Sequence, residues 1–249
     1  LRGHGFVVIR GVATPEQVHA AKDLLWDAIG QRFGAICDDP NTWNFRLNQA
    51  GLAPWLGQSA GAWEVRGWPG VKQAFASIWD TEDLIVSMDC VLLWRPWWLQ
   101  SQWRPVTEGL HLDQNPFSKP ALESIQGMVP LLPVTDASGG LRVVPGSNLD
   151  EAKAEFKRTH PHMKSSGDWC PCDDEELQQK ALLLHAATGD LILWDARTVH
   201  GGLVGTGMSN QSNEGPAQLA RLSVTVSMTP RAWASDQVLE RRRKGFRKG

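Results

Sequence analysis

From residue 84 onward the sequence breaks into short runs rich in leucine and β-branched residues, each closed within a few positions by Pro, Gly, Asp or Asn. Punctuation at that frequency leaves no room for helices of ordinary length and matches the many short strands of an all-β sandwich or barrel. The expected strands are residues 84–94, 109–113, 123–134, 141–145, 180–186, 190–195 and 221–229. Residues 150–178 are polar and charged and interrupt this rhythm, so they read as an insertion between strands, helical around residues 151–157. Insertions of this kind often cover sites. Residues 205–218 form a second polar loop.

The N-terminal third has a different texture. Residues 6–12 read as a short strand, and Thr14-Pro15-Glu16-Gln17 then supplies an N-cap, a first-turn proline, an acid at the positive end of the helix dipole and a capping-box glutamine. A helix therefore starts at Pro15; Val18, Ala21, Leu24, Leu25 and Ile29 recur at helical spacing, and Gly30 and Gly34 offer successive stops. Residues 38–70 lack periodicity and are expected to be loop-dominated, with a short helix at 71–79. The organisation expected is one domain over residues 1–249: a helical and loop part (1–83), a β core (84–231) carrying the insertion, and a basic tail (240–249) read as a solvated terminus because like charges in a run repel.

Charge and composition narrow the function. Twenty-five Lys and Arg against 27 Asp and Glu leave a net charge of −2, too balanced for a protein that gathers nucleic acid through its overall field. The apolar runs at 128–134 and 181–184 fall far short of the roughly 20 residues that cross a bilayer. Four cysteines without framework spacing, and no basic leader segment before residues 5–12, predict a reducing, cytoplasmic setting. With 13 Trp and no Tyr, ring contacts must come from indole, Phe and His.

His111-Leu112-Asp113 places an imidazole and a carboxylate two residues apart, on one face of a strand and within reach of one ion. Alone the pair is weak evidence. Downstream, residues 189–200 form a strand-like run ending in His200, and Arg221-Leu222-Ser223 opens the next strong strand. Two imidazoles and one carboxylate on a face of an iron ion leave adjacent positions open for an oxidant and a chelating co-substrate, the ligand set of non-haem Fe(II) oxygenases. An arginine fork beside a hydroxyl suits a distal carboxylate.

In this order the residues resemble the phytanoyl-CoA dioxygenase-like branch of the Fe(II)/2-oxoglutarate-dependent oxygenases, over about residues 5–231. Residues 5–12, His111-x-Asp113, residues 139–147 (Gly-Gly-Leu-Arg-Val-Val-Pro-Gly-Ser), residues 189–200 and Arg221-x-Ser223 carry the resemblance. It implies a double-stranded β-helix, the jelly-roll barrel, with outer helices and metal at the open end, in agreement with the strand count. It also implies that His111, Asp113 and His200 ligate Fe(II), that Arg221 and Ser223 hold the far carboxylate of 2-oxoglutarate, and that Arg95, just before Pro96, touches the co-substrate or the substrate. The implied chemistry consumes O2, decarboxylates 2-oxoglutarate to succinate and CO2, and usually hydroxylates an unactivated C–H bond. Asn148 stands where the family's Pro-Gly-Ser element usually continues with His, and the gap from His200 to Arg221 is lengthened by the 205–218 loop. Asp113 sets the chain apart from halogenating relatives, which carry a small residue there, so hydroxylation is favoured.

Other readings compete at single residues. Arg197 and Arg231 are rival carboxylate clamps, and His160, His162, Cys170 and Cys172 put four soft donors close enough to consider zinc, although Cys-x-Cys is tighter than usual spacing. Trp94, Trp97, Trp98 and Trp103 suit either an apolar substrate mouth or core packing. With Arg95, Arg104 and Lys119 nearby, they suggest a small, partly apolar substrate carrying an acidic group. The rival functions are a non-catalytic jelly-roll binding module and, from the basic tail alone, nucleic-acid base oxidation.

Overall fold

The computed structural model describes residues 1–172, 174–208 and 218–247. Strand β1 (Phe6–Ile9) leads into helix α1 (Pro15–Phe33), whose start is the expected capping box: the Thr14 hydroxyl accepts from Gln17 N and the Gln17 side chain accepts from Thr14 N. The helix runs through Gly30 and stops at Gly34, which takes the left-handed conformation at φ 69°. Thr14→Ala is expected to cost about 1 kcal/mol, a fall of roughly 2–4 °C in Tm at this chain length, read by thermal unfolding.

Next come β2 (Leu52–Ala53), α2 (Ala60–Gly67), α3 (Pro69–Trp79), β3 (Leu84–Val86), β4 (Val91–Trp94), β5 (His111–Leu112), β6 (Ile125–Pro130) and β7 (Gly139–Val143). The insertion supplies α4 (Asp150–Thr159), β8 (Cys170–Pro171) and α5 (Glu175–Lys180). Strands β9 (Leu182–Leu183), β10 (Leu191–Asp195), β11 (His200–Val204) and β12 (Arg221–Pro230) and helix α6 (Asp236–Phe246) complete the chain.

Two antiparallel sheets form the barrel. The larger has the order β1-β10-β6-β12-β4-β2, with β3 paired to the far end of β12; the smaller has the order β8-β5-β11-β7-β9. This is the jelly-roll fold. Alternation along the strands of the larger sheet decides what lies where. Leu191 and Leu193, Leu222, Val224 and Val226, Val91 and Leu93 turn outward and pack against Val18, Ala21, Leu25 and Ile29 of α1 and against Val65, Val71 and Phe75 of α2 and α3. Their neighbours Ile192, Trp194 and Met128 turn inward and pack with Leu141 and Val143 of the smaller sheet. Polar residues on these inward faces therefore point between the sheets.

Several expectations are corrected. The single strand expected at 84–94 is two, because β12, ten residues long, pairs with β4 near its start and with β3 near its end, and the chain breaks between them. Helix α2 lies in the stretch expected to be loop. Its buried positions include Gly61 and Ala62, small because a Cβ on Gly61 would sit 2.7 Å from Leu25 Cγ; such residues hide a helical apolar stripe. The basic tail is helical through Phe246: Ser235 caps α6, Glu240 lies 3.6 Å from Arg243 and 3.7 Å from Lys244, and Phe246 meets the Trp63 ring edge-on. Local counter-charges and one aromatic anchor offset the repulsion. Of the 205–218 loop, residues 209–217 lie outside the described residues, as do residues 248 and 249 of the tail. Among the described residues no helix is long and apolar enough to cross a membrane.

Candidate active site

The smaller sheet brings the two histidines together. His111 and His200 are direct cross-strand partners of β5 and β11, with ring centroids 4.5 Å apart. This close approach needs a bare backbone beside His200: a Cβ on Gly201 would lie 2.1 Å from the carbonyl of Gly109. Asp113 follows β5 with its carboxylate between the rings, 3.8 Å from His111 Nε2 and 3.5 Å from His200 Nε2. One ligand atom from each residue lies within 4.8 Å of the others, and among the described residues this is the one group of three or more such donors.

The arrangement suits a metal in its details as well. His111 Nδ1 lies 3.2 Å from Gly109 O and His200 Nδ1 lies 2.9 Å from Thr198 O. A carbonyl can only accept, so each Nδ1 carries the proton and each Nε2 presents a lone pair toward Asp113. Burial and the neighbouring His200 lower the His111 pKa, against the pull of Asp113, which favours the neutral, ligating ring. Burial alone would raise the Asp113 carboxyl, but the flanking His200, the hydrogen bond from Gln126 and the nearby His111 outweigh it and hold the group well below the usual carboxylate range. Gln126 Nε2 donates to Asp113 Oδ2 at 2.7 Å.

A cavity of about 270 Å³ opens beside the triad, lined by Leu52, Leu92, Trp94, Gln126, Met128, Leu141, Trp194 and Arg221 among others. Arg221 is 4% exposed, its guanidinium stacks 4.6 Å above the Trp94 ring, and its Nη2 approaches Met128 Sδ at 3.2 Å. Its Nε has no hydrogen-bond partner, and among the described residues it has no carboxylate partner. Burial pushes its pKa down to about 10, so it stays charged at neutral pH. Ser223, two positions along β12 and so on the same face, is fully buried with its hydroxyl unpartnered. A buried cation without a counter-charge and an unpartnered hydroxyl are groups that suit an anion, although of the two only Arg221 lines the cavity.

The other expected residues fall elsewhere. Arg95 does not line this cavity: it donates to the Trp43 carbonyl at 2.9 Å and packs over Phe45 and Trp103. Arg197 is committed to Asp195 at 2.6 Å and Arg231 to Asp83 at 2.7 Å, so neither rival clamp is available. Lys119 pairs with Asp168 and Arg104 stacks on Trp97; neither reaches the cavity, which removes the basis for an acidic substrate. Of the four tryptophans at 94–103 only Trp94 lines it; Trp97 packs with Trp94 and Ala220. The zinc cluster does not assemble either. Cys170 and Cys172 are buried in an apolar cluster with Leu110 and Met163, while His160 stacks on Phe156 and faces Asp174 at 3.4 Å. Gln126 and Trp194 are site residues that sequence reasoning missed. A glutamine and a tryptophan at inward strand positions read as ordinary strand residues, and their position opposite each other is the signal that only pairing reveals.

Two imidazoles and a carboxylate inside a jelly roll, with a buried arginine across the cavity, define a 2-oxoglutarate-dependent non-haem iron oxygenase, with Fe(II), 2-oxoglutarate and O2 as its requirements. Residues 1–207 match the family model described as phytanoyl-CoA dioxygenase (PhyH), and the chain belongs to that family. It is 28% identical over 268 residues to Ava biosynthesis cluster protein O of Aspergillus versicolor, a match covering 97% of this chain and 80% of that protein. Among solved structures it resembles the epimerase SnoN in complex with Fe3+, alpha ketoglutarate and nogalamycin RO (18% identity, TM-score 0.57, 92% of this chain and 80% of that one). It also resembles EvdO2 from Micromonospora carbonacea var. aurantiaca complexed with 2-oxoglutarate (18% identity, TM-score 0.54, 94% of each chain).

Proposed function

We propose that His111, Asp113 and His200 ligate Fe(II), that Arg221 and Ser223 hold the far carboxylate of 2-oxoglutarate, and that the enzyme hydroxylates a C–H bond of a small, partly apolar organic molecule. The observation that carries this is the buried, charge-unpaired guanidinium of Arg221 in the same cavity as the triad. A cation withdrawn from water with no counter-charge is costly unless a ligand supplies the anion.

Iron, when bound, supplies the activation of O2 that couples decarboxylation of the co-substrate to oxidation of the substrate. The chain's own contribution is positional. The carbonyls of Gly109 and Thr198 fix the imidazole tautomers, Gln126 steers one oxygen of Asp113, and Trp94 backs the Arg221 fork so that it presents a fixed face. Leu52, Leu92 and Leu141 make part of the remaining wall apolar, beside Asp89, Thr107, Glu108 and Thr225. The presence of Asp113 favours hydroxylation, because a carboxylate fills the position that a halide would need. A small-molecule substrate also agrees with the nogalamycin RO bound to SnoN.

The test is anaerobic loading with Fe(II) followed by O2 and 2-oxoglutarate, scoring succinate with and without a broad metabolite extract, with His111→Ala as the blank. Succinate above the blank, increased by the extract, is expected. Iron binding without succinate in either arm would overturn the reading in favour of a non-catalytic binding module.

A further inference from the structure

The cavity holds two buried polar atoms that neither the metal triad nor the co-substrate accounts for. Trp194 is 5% exposed and lines the cavity with its ring 5.4 Å from that of His200, yet its indole N–H has no acceptor. Gln126 lines the same cavity and its side-chain oxygen, also buried, has no donor. The two residues are direct partners across β10 and β6, so their side chains leave the sheet on one face, with Cβ atoms about 4.5–5.5 Å apart.

The orientation of the Gln126 amide is not arbitrary. Its other end meets a carboxylate at 2.7 Å, and a carboxylate can only accept, so the NH2 faces Asp113 and the oxygen faces away. One donor and one acceptor thus belong to cross-strand neighbours that line the same cavity as the metal ligands. Nature rarely leaves such atoms unpaired, since each costs about 1–3 kcal/mol when buried without a partner.

We infer that Trp194 Nε1 and Gln126 Oε1 form a substrate subsite for an uncharged group carrying both an acceptor and a donor, a carboxamide or lactam, which receives the indole proton and gives its own N–H to the glutamine. The inference deepens the proposed function and rests on it for placing this group beside iron and 2-oxoglutarate. The co-substrate itself does not fill the subsite: as a dianion it has no N–H or O–H to offer Gln126 Oε1. An anionic substrate group fails for the same reason and is further opposed by the neighbouring Asp113 carboxylate.

The experiment follows the indole N–H resonances of 15N-labelled protein loaded with Zn(II) and 2-oxoglutarate, in which no turnover occurs. Trp194→Phe identifies the Trp194 signal by its disappearance. The probes are 2-pyrrolidinone, which carries both groups, and N-methyl-2-pyrrolidinone, which keeps only the acceptor. A fragment of this size binds with roughly millimolar affinity. The Trp194 signal is expected to move saturably with 2-pyrrolidinone, and binding to weaken roughly 3- to 10-fold for the N-methyl probe and for Gln126→Met, the worth of one neutral hydrogen bond. A Trp194 signal unmoved by either lactam at roughly 100 mM overturns the inference. So does one that shifts on 2-oxoglutarate alone and then ignores the lactams, because the pair then belongs to the co-substrate. Failure of the oxygenase reading shows separately, as absence of succinate from the iron-loaded enzyme.

Discussion

Asp113→Ala removes tight iron binding and with it all succinate formation above background. Two imidazoles remain, and a hard divalent ion held by them alone loses the one anionic side chain that would hold it; losing a group that merely hydrogen-bonds a ligand costs metal sites roughly 10- to 100-fold, and loss of a ligand costs more. The variant is expected to fold. Asp113 stands at the cavity edge, not in the apolar core, and its removal leaves one Gln126 donor to find water, a cost of about 1–3 kcal/mol. Equilibrium dialysis of iron, with circular dichroism as the control for folding, checks this. Retained iron and undiminished succinate in a folded variant would remove Asp113 from the ligand set.

Arg221→Leu separates binding from stability because the two respond with opposite signs. Without the guanidinium the far carboxylate of 2-oxoglutarate loses a charge-assisted fork in a water-poor cavity, a loss of about 2–5 kcal/mol. The 2-oxoglutarate concentration for half-maximal succinate is therefore expected to rise roughly 30- to 3000-fold. Stability is expected to stay level or increase, since the substitution removes a buried, unpaired cation and leaves an apolar side chain beside Trp94 and Met128. Arg221→Lys does not restore binding, because an ammonium cannot reproduce the planar fork stacked on Trp94. An unchanged requirement for 2-oxoglutarate in Arg221→Leu, or a collapse of Tm, would mean that the arginine serves the fold and not the co-substrate.

The legible part of this site consists of residues whose chemistry has few alternatives. A histidine and an aspartate two apart on a strand, a second histidine at the end of another and an Arg-x-Ser at the start of a third stand out by type and spacing; the structure brings His111, Asp113, His200 and Arg221 to one cavity, while Ser223 shares the Arg221 face of β12 without lining it. Arg95 shows the limit. It lies one position beyond Trp94, the end of β4, and Trp94 faces inward opposite Arg221; alternation turns the next residue away, toward Trp43, Phe45 and Trp103. Sequence places Arg95 near the site along the chain, but the face it occupies depends on where a strand ends, the least readable boundary of all. Gln126 and Trp194 fail for a related reason, since their meaning arises only when β6 and β10 align. Helix α2 was hidden because its contact face is made of Gly61, Ala62, Val65 and Arg66, of which only Val65 reads as a core residue of ordinary size, and α6 because its Glu240 and Phe246 offset a charge run that in isolation resists folding.

The pairing of His111 with His200 has a mechanical side. Strand β5 is two residues long and meets β11 at that one cross-strand position, while β8 leans on β5 in turn. An ion held by both imidazoles would therefore act as a rivet through the seam of the smaller sheet with the fewest paired positions, fastening the rim on which the 150–178 insertion hangs. By thermodynamic linkage, whatever tightens that seam tightens the grip on the ion by the same free energy, and whatever loosens the insertion loosens it. Cofactor retention and rim rigidity are then one quantity measured at two places.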